Sequence, residues 1–143
     1  MCMMIYLASD VPLRVVEWRK DAPAFNTSGP AADEERVRCQ FTKANPIYAG
    51  SYEGCGCGFQ LGEYPAESLE TDEFVQRRRS LHDFAAYLRE ELARVGTIEL
   101  YACWDGDQEE PPAHRRVLTP SSLEADDFFF LQKELSTVMK DAG

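Results

Sequence analysis

The residues of this chain best suited to chemistry are its five cysteines, Cys2, Cys39, Cys55, Cys57 and Cys103. Two of them sit in the run Gly54-Cys55-Gly56-Cys57-Gly58-Phe59, where the interleaved glycines let the backbone take positive φ or approach another group closely. A Cys-x-Cys spacing can bring two sulfurs to one side of a turn. As thiolates such a pair can ligate a metal, and zinc would want four ligands at about 2.3 Å from each sulfur. Cys2, Cys39, Cys103, His82 and His114 are the residues available to complete a site. Cys39 alternates with Val37 and Phe41 on an apolar face and reads as a small buried hydrophobe. Cys103 shares a face with Glu99 and Tyr101 near a strand end, which predicts accessibility, and Cys2 opens a strand that can lie beside either neighbour. The metal reading therefore assigns Cys2, Cys55, Cys57 and Cys103, with zinc as the candidate ion.

The same sulfurs admit other chemistry. Cys55 and Cys57 could form a strained, readily reduced disulfide, or one of them could act as a nucleophile. No Lys, Arg or His stands in the loop to lower a thiol pKa, and Glu53 would raise it. An N-terminal nucleophile at Cys2 would need further motifs that this chain lacks. A third reading has no chemistry at all: Tyr48, Tyr52, Phe59 and Tyr64 flank the loop and either anchor a protein partner or fill the core.

Other polar groupings are weaker. Asp105, Asp107 and Glu109 lack the spacing of a calcium loop, and Asp105-Gly106 is a common turn, so a solvated acidic loop is expected. Arg77, Arg78 and Arg79 would spread around a helix and pair with acids such as Glu73. No nucleophile elbow, P-loop or dinucleotide fingerprint occurs.

These residues must be positioned by a small set of elements. Met3 to Ala8 is a short apolar run bounded by Ser9-Asp10 and Pro12, which predicts a buried strand. Residues 9 to 33 carry Pro12, Pro23, Gly29 and Pro30 and read as a long connection pinned by Trp18 and Phe25. The alternation at Val37, Cys39 and Phe41 predicts a strand, with residues 47 to 52 returning as the second arm of a hairpin. Thr71 is a candidate N-cap, acids follow it, and Phe74, Leu81, Phe84, Ala85, Leu88, Leu92 and Val95 recur at helical spacing before Gly96. One amphipathic helix over 72–95 is predicted. Strands are expected over 97–104, from Arg115 to Thr119, and in the aromatic segment from Phe128 to Val138, where a short helix is the alternative. The order predicts a single α+β domain over residues 1–143, a mostly antiparallel sheet with one long helix on a face.

Composition sets the outer limits. With 143 residues, 44% of them hydrophobic, the chain can bury a core without a disulfide or metal. A net charge of −10 opposes the counterion release that drives nucleic-acid binding, so no nucleic-acid partner is expected. No apolar run approaches the ~20 residues of a membrane span, and no membrane partner is expected. An odd cysteine count without an export signal predicts reduced thiols and a cytoplasmic location.

Met1-Cys2 with Ile5-Tyr6-Leu7-Ala8-Ser9, Tyr48-Ala49-Gly50-Ser51 and Gly54-Cys55-Gly56-Cys57-Gly58-Phe59 together resemble a small bacterial family of uncharacterised proteins, over about the first sixty residues. That family carries no established activity, so the resemblance implies no substrate and no catalytic residue. It links Cys2 to the Cys-Gly-Cys loop as a joint site.

Overall fold

The computed structural model describes residues 2–29, 32–63 and 71–142. Six strands form one sheet: β1 (Met3–Ser9), β2 (Asn26–Ser28), β3 (Asn45–Gly50), β4 (Thr97–Trp104), β5 (His114–Leu118) and β6 (Glu134–Met139), in the order β2-β3-β1-β4-β6-β5. Every neighbouring pair is antiparallel except β5 and β6. A short helix, α1 (Ala32–Val37), precedes β3, and the long helix α2 (Asp72–Val95) precedes β4. The fold is α+β, as the sequence predicts.

Alternation of side chains across the strands divides the interior in two. Met3, Ile5 and Leu7 of β1, Ile98, Leu100 and Ala102 of β4 and Val138 of β6 face α2, which buries Phe74, Leu81, Phe84, Ala85, Leu88 and Leu92 against them. On the opposite face a smaller cluster joins Tyr6, Val37, Tyr101 and Cys103, with Met4, Phe41, Tyr48 and Leu135 packed around it. β1 and β4 have apolar residues on both faces because both faces are covered.

Local signals explain α2 completely. The Thr71 side chain accepts from the Phe74 N–H at 3.2 Å, Asp72 and Glu73 sit in the first turn, and Gly96 at φ +86° donates its N–H to the Leu92 carbonyl at 2.8 Å.

Three expectations are corrected. Val37, Cys39 and Phe41 do not lie on a strand; α1 runs into a 3₁₀ turn over Arg38–Gln40. The inward positions there are Val37 and Gln40, three apart, and Gln40 donates to the Gln108 carbonyl at 2.9 Å and the Glu110 carbonyl at 2.6 Å. Cys39 is consequently exposed. The expected hairpin is replaced by β3 pairing with β1 and β2, and β2 itself emerges from the predicted connection, bridged to Val16. Within that connection Phe25 is buried, whereas Trp18 stays largely exposed and reaches the Tyr52 carbonyl at 3.1 Å. The aromatic run at Phe128 is neither strand nor helix. Its backbone bonds to a side chain instead of a neighbouring strand: Gln60 donates to the Phe130 carbonyl and accepts from the Phe130 N–H, each at 2.8 Å. β6 begins only at Glu134.

The chain's C-terminal end is tied to α2 by ion pairs. Arg89 pairs with Glu124 and with Asp141 at 2.8 Å, and Asp141 also accepts from the Ser121 N–H at 2.9 Å. Hydrogen bonds from Ser121 and then Arg89 hold the Asp141 carboxyl down at about 2. A depressed carboxylate contributes stability above its unfolded value near 3.9 and loses it as pH falls through the folded value. Because the group is partly solvated the contribution is below about 1 kcal/mol. Urea denaturation of Asp141→Asn is expected to show a small deficit at pH 5 that closes toward pH 2; a deficit independent of pH would contradict this.

Candidate functional site

Antiparallel pairing of β1 with β3 sets Ile5 against Ala49, so the chain leaving β3 arrives beside the start of β1. Cys2 immediately precedes β1, and its carbonyl accepts from the Asp105 N–H at 2.8 Å, which fixes it beside the end of β4. The loop that follows β3 carries Cys55 and Cys57 to the same place.

That loop is built by short-range bonds. Ser51 donates through both its N–H, at 2.9 Å, and its hydroxyl, at 2.5 Å, to the Cys55 carbonyl, and the Gly54 N–H returns to the Ser51 carbonyl at 2.9 Å. Gly54 turns the chain at φ +88°, a conformation few side-chain-bearing residues adopt. The Tyr48 hydroxyl donates to the Gly54 carbonyl at 2.8 Å, and burial followed by the adjacent Cys55 thiol pushes its pKa up, keeping it a donor. Cys55 is extended, and a 3₁₀ turn over Gly56–Phe59 follows. Phe59 anchors the turn in the aromatic core beside Phe25, Phe84 and Phe130.

The outcome is a group of three thiols, Cys2, Cys55 and Cys57, whose sulfurs lie within 4.8 Å of one another. Cys2 is exposed and the other two are half-buried. Cys57 Sγ also accepts from the Met3 N–H at 3.2 Å. Sulfurs at about 2.3 Å from one tetrahedral ion stand about 3.8 Å apart. The observed spacing needs at most a modest closure, so the three can hold one metal ion.

Gly56 has a role distinct from Gly54. A Cβ placed on it would lie 2.7 Å from Ile5 Cγ1 and 2.8 Å from the Met3 carbonyl oxygen, closer than such contacts allow. The turn packs against β1 only because this position has no side chain. Gly56→Ala should push the turn off β1, cost about 1–3 kcal/mol in chemical denaturation and weaken metal binding at the three thiols. Unchanged binding by this variant would show that close approach to β1 does not assemble the group.

Arg77 completes the scaffold. It is buried on α2, donating to the Cys57 carbonyl at 2.5 Å and the Gln60 carbonyl at 3.3 Å while pairing with Glu73 at 3.0 Å. Sequence reasoning matched it to Glu73 and missed its hold on the cysteine loop. A signal was present, since position 77 falls three after Phe74 and four before Leu81, on the stripe that faces the core.

The remaining candidates separate from the group. Cys103 is fully buried on the far face with Tyr6 and Tyr101, which corrects the expectation that it is accessible. Burial, then the nearby Asp107 and Asp105 charges, pushes its thiol up to about 12, and it is not among the converging sulfurs. His82 is exposed 4.0 Å from Glu124, and His114 is exposed at the start of β5. Asp105 accepts from Gln108 at 3.0 Å, and Gln108, fully buried, also donates to the Tyr6 hydroxyl at 3.1 Å. The acidic loop is thus organised by a glutamine. Among the described residues no other cluster of three or more His, Cys, Asp or Glu groups converges as the thiols do. Of the aromatic residues near the loop, Phe59 is core, Tyr48 and Tyr52 are half-buried, and Tyr64 lies outside the described residues.

Burial pushes the Cys55 thiol up to about 12, against a backbone hydrogen bond from Cys57 that lowers it, with the Cys57 and Cys2 side chains adding to the rise. A thiol held this way is a poor nucleophile, because the thiolate is the reactive form. No helix among the described residues is long and apolar enough to cross a membrane. Comparison of the chain with family models, with curated proteins and with solved structures finds no match.

Proposed function

We propose that this protein binds one thiophilic metal ion, the class to which zinc belongs, through Cys2, Cys55 and Cys57. The observation that carries the reading is the convergence of three sulfurs from two separate chain segments, fixed by the β1–β3 pairing. The Met3 N–H directed at Cys57 Sγ supports it, as does a loop braced at both ends, by Ser51 and by Arg77. A cytoplasmic setting suits such a site, since thiols there stay reduced. Metal binding displaces protons, so the high proton affinity of Cys55 is overcome by the ion itself. Bound metal would tie the start of β1 to the loop and add its binding energy to the stability of that corner.

The test is metal content by mass spectrometry on chain purified without chelator or affinity tag, together with the double substitution Cys55→Ser, Cys57→Ser. About one ion per chain is expected in the parent, and near none in the variant. Cys39→Ser, at an exposed cysteine outside the group, should leave the content unchanged. Equal metal in parent and double variant would overturn the reading.

A further inference from the structure

Resting on the metal reading above, we infer that the ion is soft and monovalent, Cu(I), held by three sulfurs in a trigonal arrangement. The donor set is all sulfur. Among the described residues no imidazole nitrogen or carboxylate oxygen converges with the three thiols, and Cys103, the fourth sulfur the sequence offered, is sealed beside Tyr6 and Tyr101 and is not among them. Structural zinc sites are almost always closed by four protein ligands, and among the described residues three converge here. Soft thiolate ligands suit Cu(I) as they suit zinc, and Cu(I) is satisfied by few, polarisable donors.

The spacing agrees. Three sulfurs at about 2.3 Å around one ion in a plane are separated by about 4.0 Å, slightly wider than on a tetrahedral ion. Separations within 4.8 Å are compatible with that planar arrangement. Nothing has to be inserted from a fourth direction.

The chemistry balances without any change of oxidation state. Three S–H bonds give up three protons, three Cu–S bonds form, and the product carries two net negative charges. The Met3 N–H at 3.2 Å from Cys57 Sγ is placed to offset part of that charge, and Cys2 is exposed to solvent. Because Cys2 is the exposed ligand, ions enter and leave on its side. Cys55 and Cys57, fixed by the loop, are the retained pair, and Cys2 closes the site.

The experiment is anaerobic titration of the full reduced chain with Cu(I), and separately with Zn(II), each against a chromophoric chelator of known affinity. X-ray absorption follows on the copper-loaded chain. One Cu(I) per chain is expected, bound at least a thousandfold more tightly than Zn(II), with three sulfur scatterers. Cys2→Ser is expected to weaken Cu(I) binding about a hundredfold and reduce the scatterers to two, while Cys39→Ser changes neither. Tight Zn(II) binding with no preference for Cu(I), and a cobalt-substituted chain with tetrahedral absorption bands, would overturn this inference and leave the metal reading intact. Two sulfur scatterers in the parent chain would overturn the three-coordinate assignment. If neither ion binds in a manner that depends on Cys55 and Cys57, both readings fail together.

Discussion

Phe84→Ala is expected to destabilise the protein by about 3–5 kcal/mol, the range for truncating a fully buried phenylalanine. Phe84 sits at the centre of the aromatic core, with its ring centroid 4.9 Å from Phe25, 5.0 Å from Phe59 and 6.3 Å from Phe130. None of these neighbours is free to fill the gap. Phe59 is held by the turn that ends the cysteine loop, and Phe130 by its two bonds to Gln60. Domains of this size are stable by only about 5–15 kcal/mol, so the loss removes a large share of the total. A fall in melting temperature of about 10 °C or more follows, measurable by calorimetry or circular dichroism. Phe84→Leu keeps most of the volume and should cost distinctly less. Equal, small effects from both would mean that the core relaxes around the site and that the ring cluster is not its keystone.

The second large effect is at Arg77. Arg77→Leu keeps a bulky apolar stem but removes the charged donor to the half-buried Cys57 and buried Gln60 carbonyls. The Cys57 carbonyl keeps the Gln60 N–H at 3.3 Å, and losing a hydrogen bond to a charged donor costs about 1.5–3 kcal/mol. A total near 2–4 kcal/mol is expected in urea denaturation. The partner Glu73 is about half exposed and its ion pair contributes little, so Glu73→Gln should be nearly silent. Arg77 also holds the carbonyl of a candidate ligand residue, so Arg77→Leu should lower metal affinity by about tenfold or more, which the same titration reads. Arg77→Lys, with one ammonium in place of the fork, should fall between. If Arg77→Leu lowers stability and leaves affinity untouched, the loop holds its geometry without the arginine.

Much of the architecture was legible locally. The bounds of α2 and β4 coincide with the sequence reading at 72–95 and 97–104, because a cap, a helical period, a glycine stop and a strand alternation all act within a few residues of each other. The Cys-Gly-Cys loop was legible as an unusual turn for the same reason. Where the reading failed, the deciding contact was distant in sequence. Val37 and Phe41 look like alternate strand positions, yet Gln40 bonds to backbone carbonyls at positions 108 and 110, and that bond sets which residues point inward. Phe128 to Leu131 have strand propensity, but Gln60 takes the backbone bonds of Phe130 that a strand would have used.

The cysteines divide along the same line. Residue types and spacing by themselves allowed Cys55 and Cys57 to meet on one turn, through the glycines that flank them, and set Cys103 to alternate with Ala102 across β4. They could not say which face of β4 would be covered. Cys103 was assigned to its correct face, alongside Glu99 and Tyr101, but that face is closed over by Val37, Phe41 and the residues around them, so the thiol is sealed in. Nor could local sequence bring Cys2 to the loop. That meeting depends on β1 pairing with β3 antiparallel, and on Gly56 fitting against the Met3 carbonyl. Strand pairing and close packing join residues some fifty positions apart, and only the tertiary structure makes those contacts.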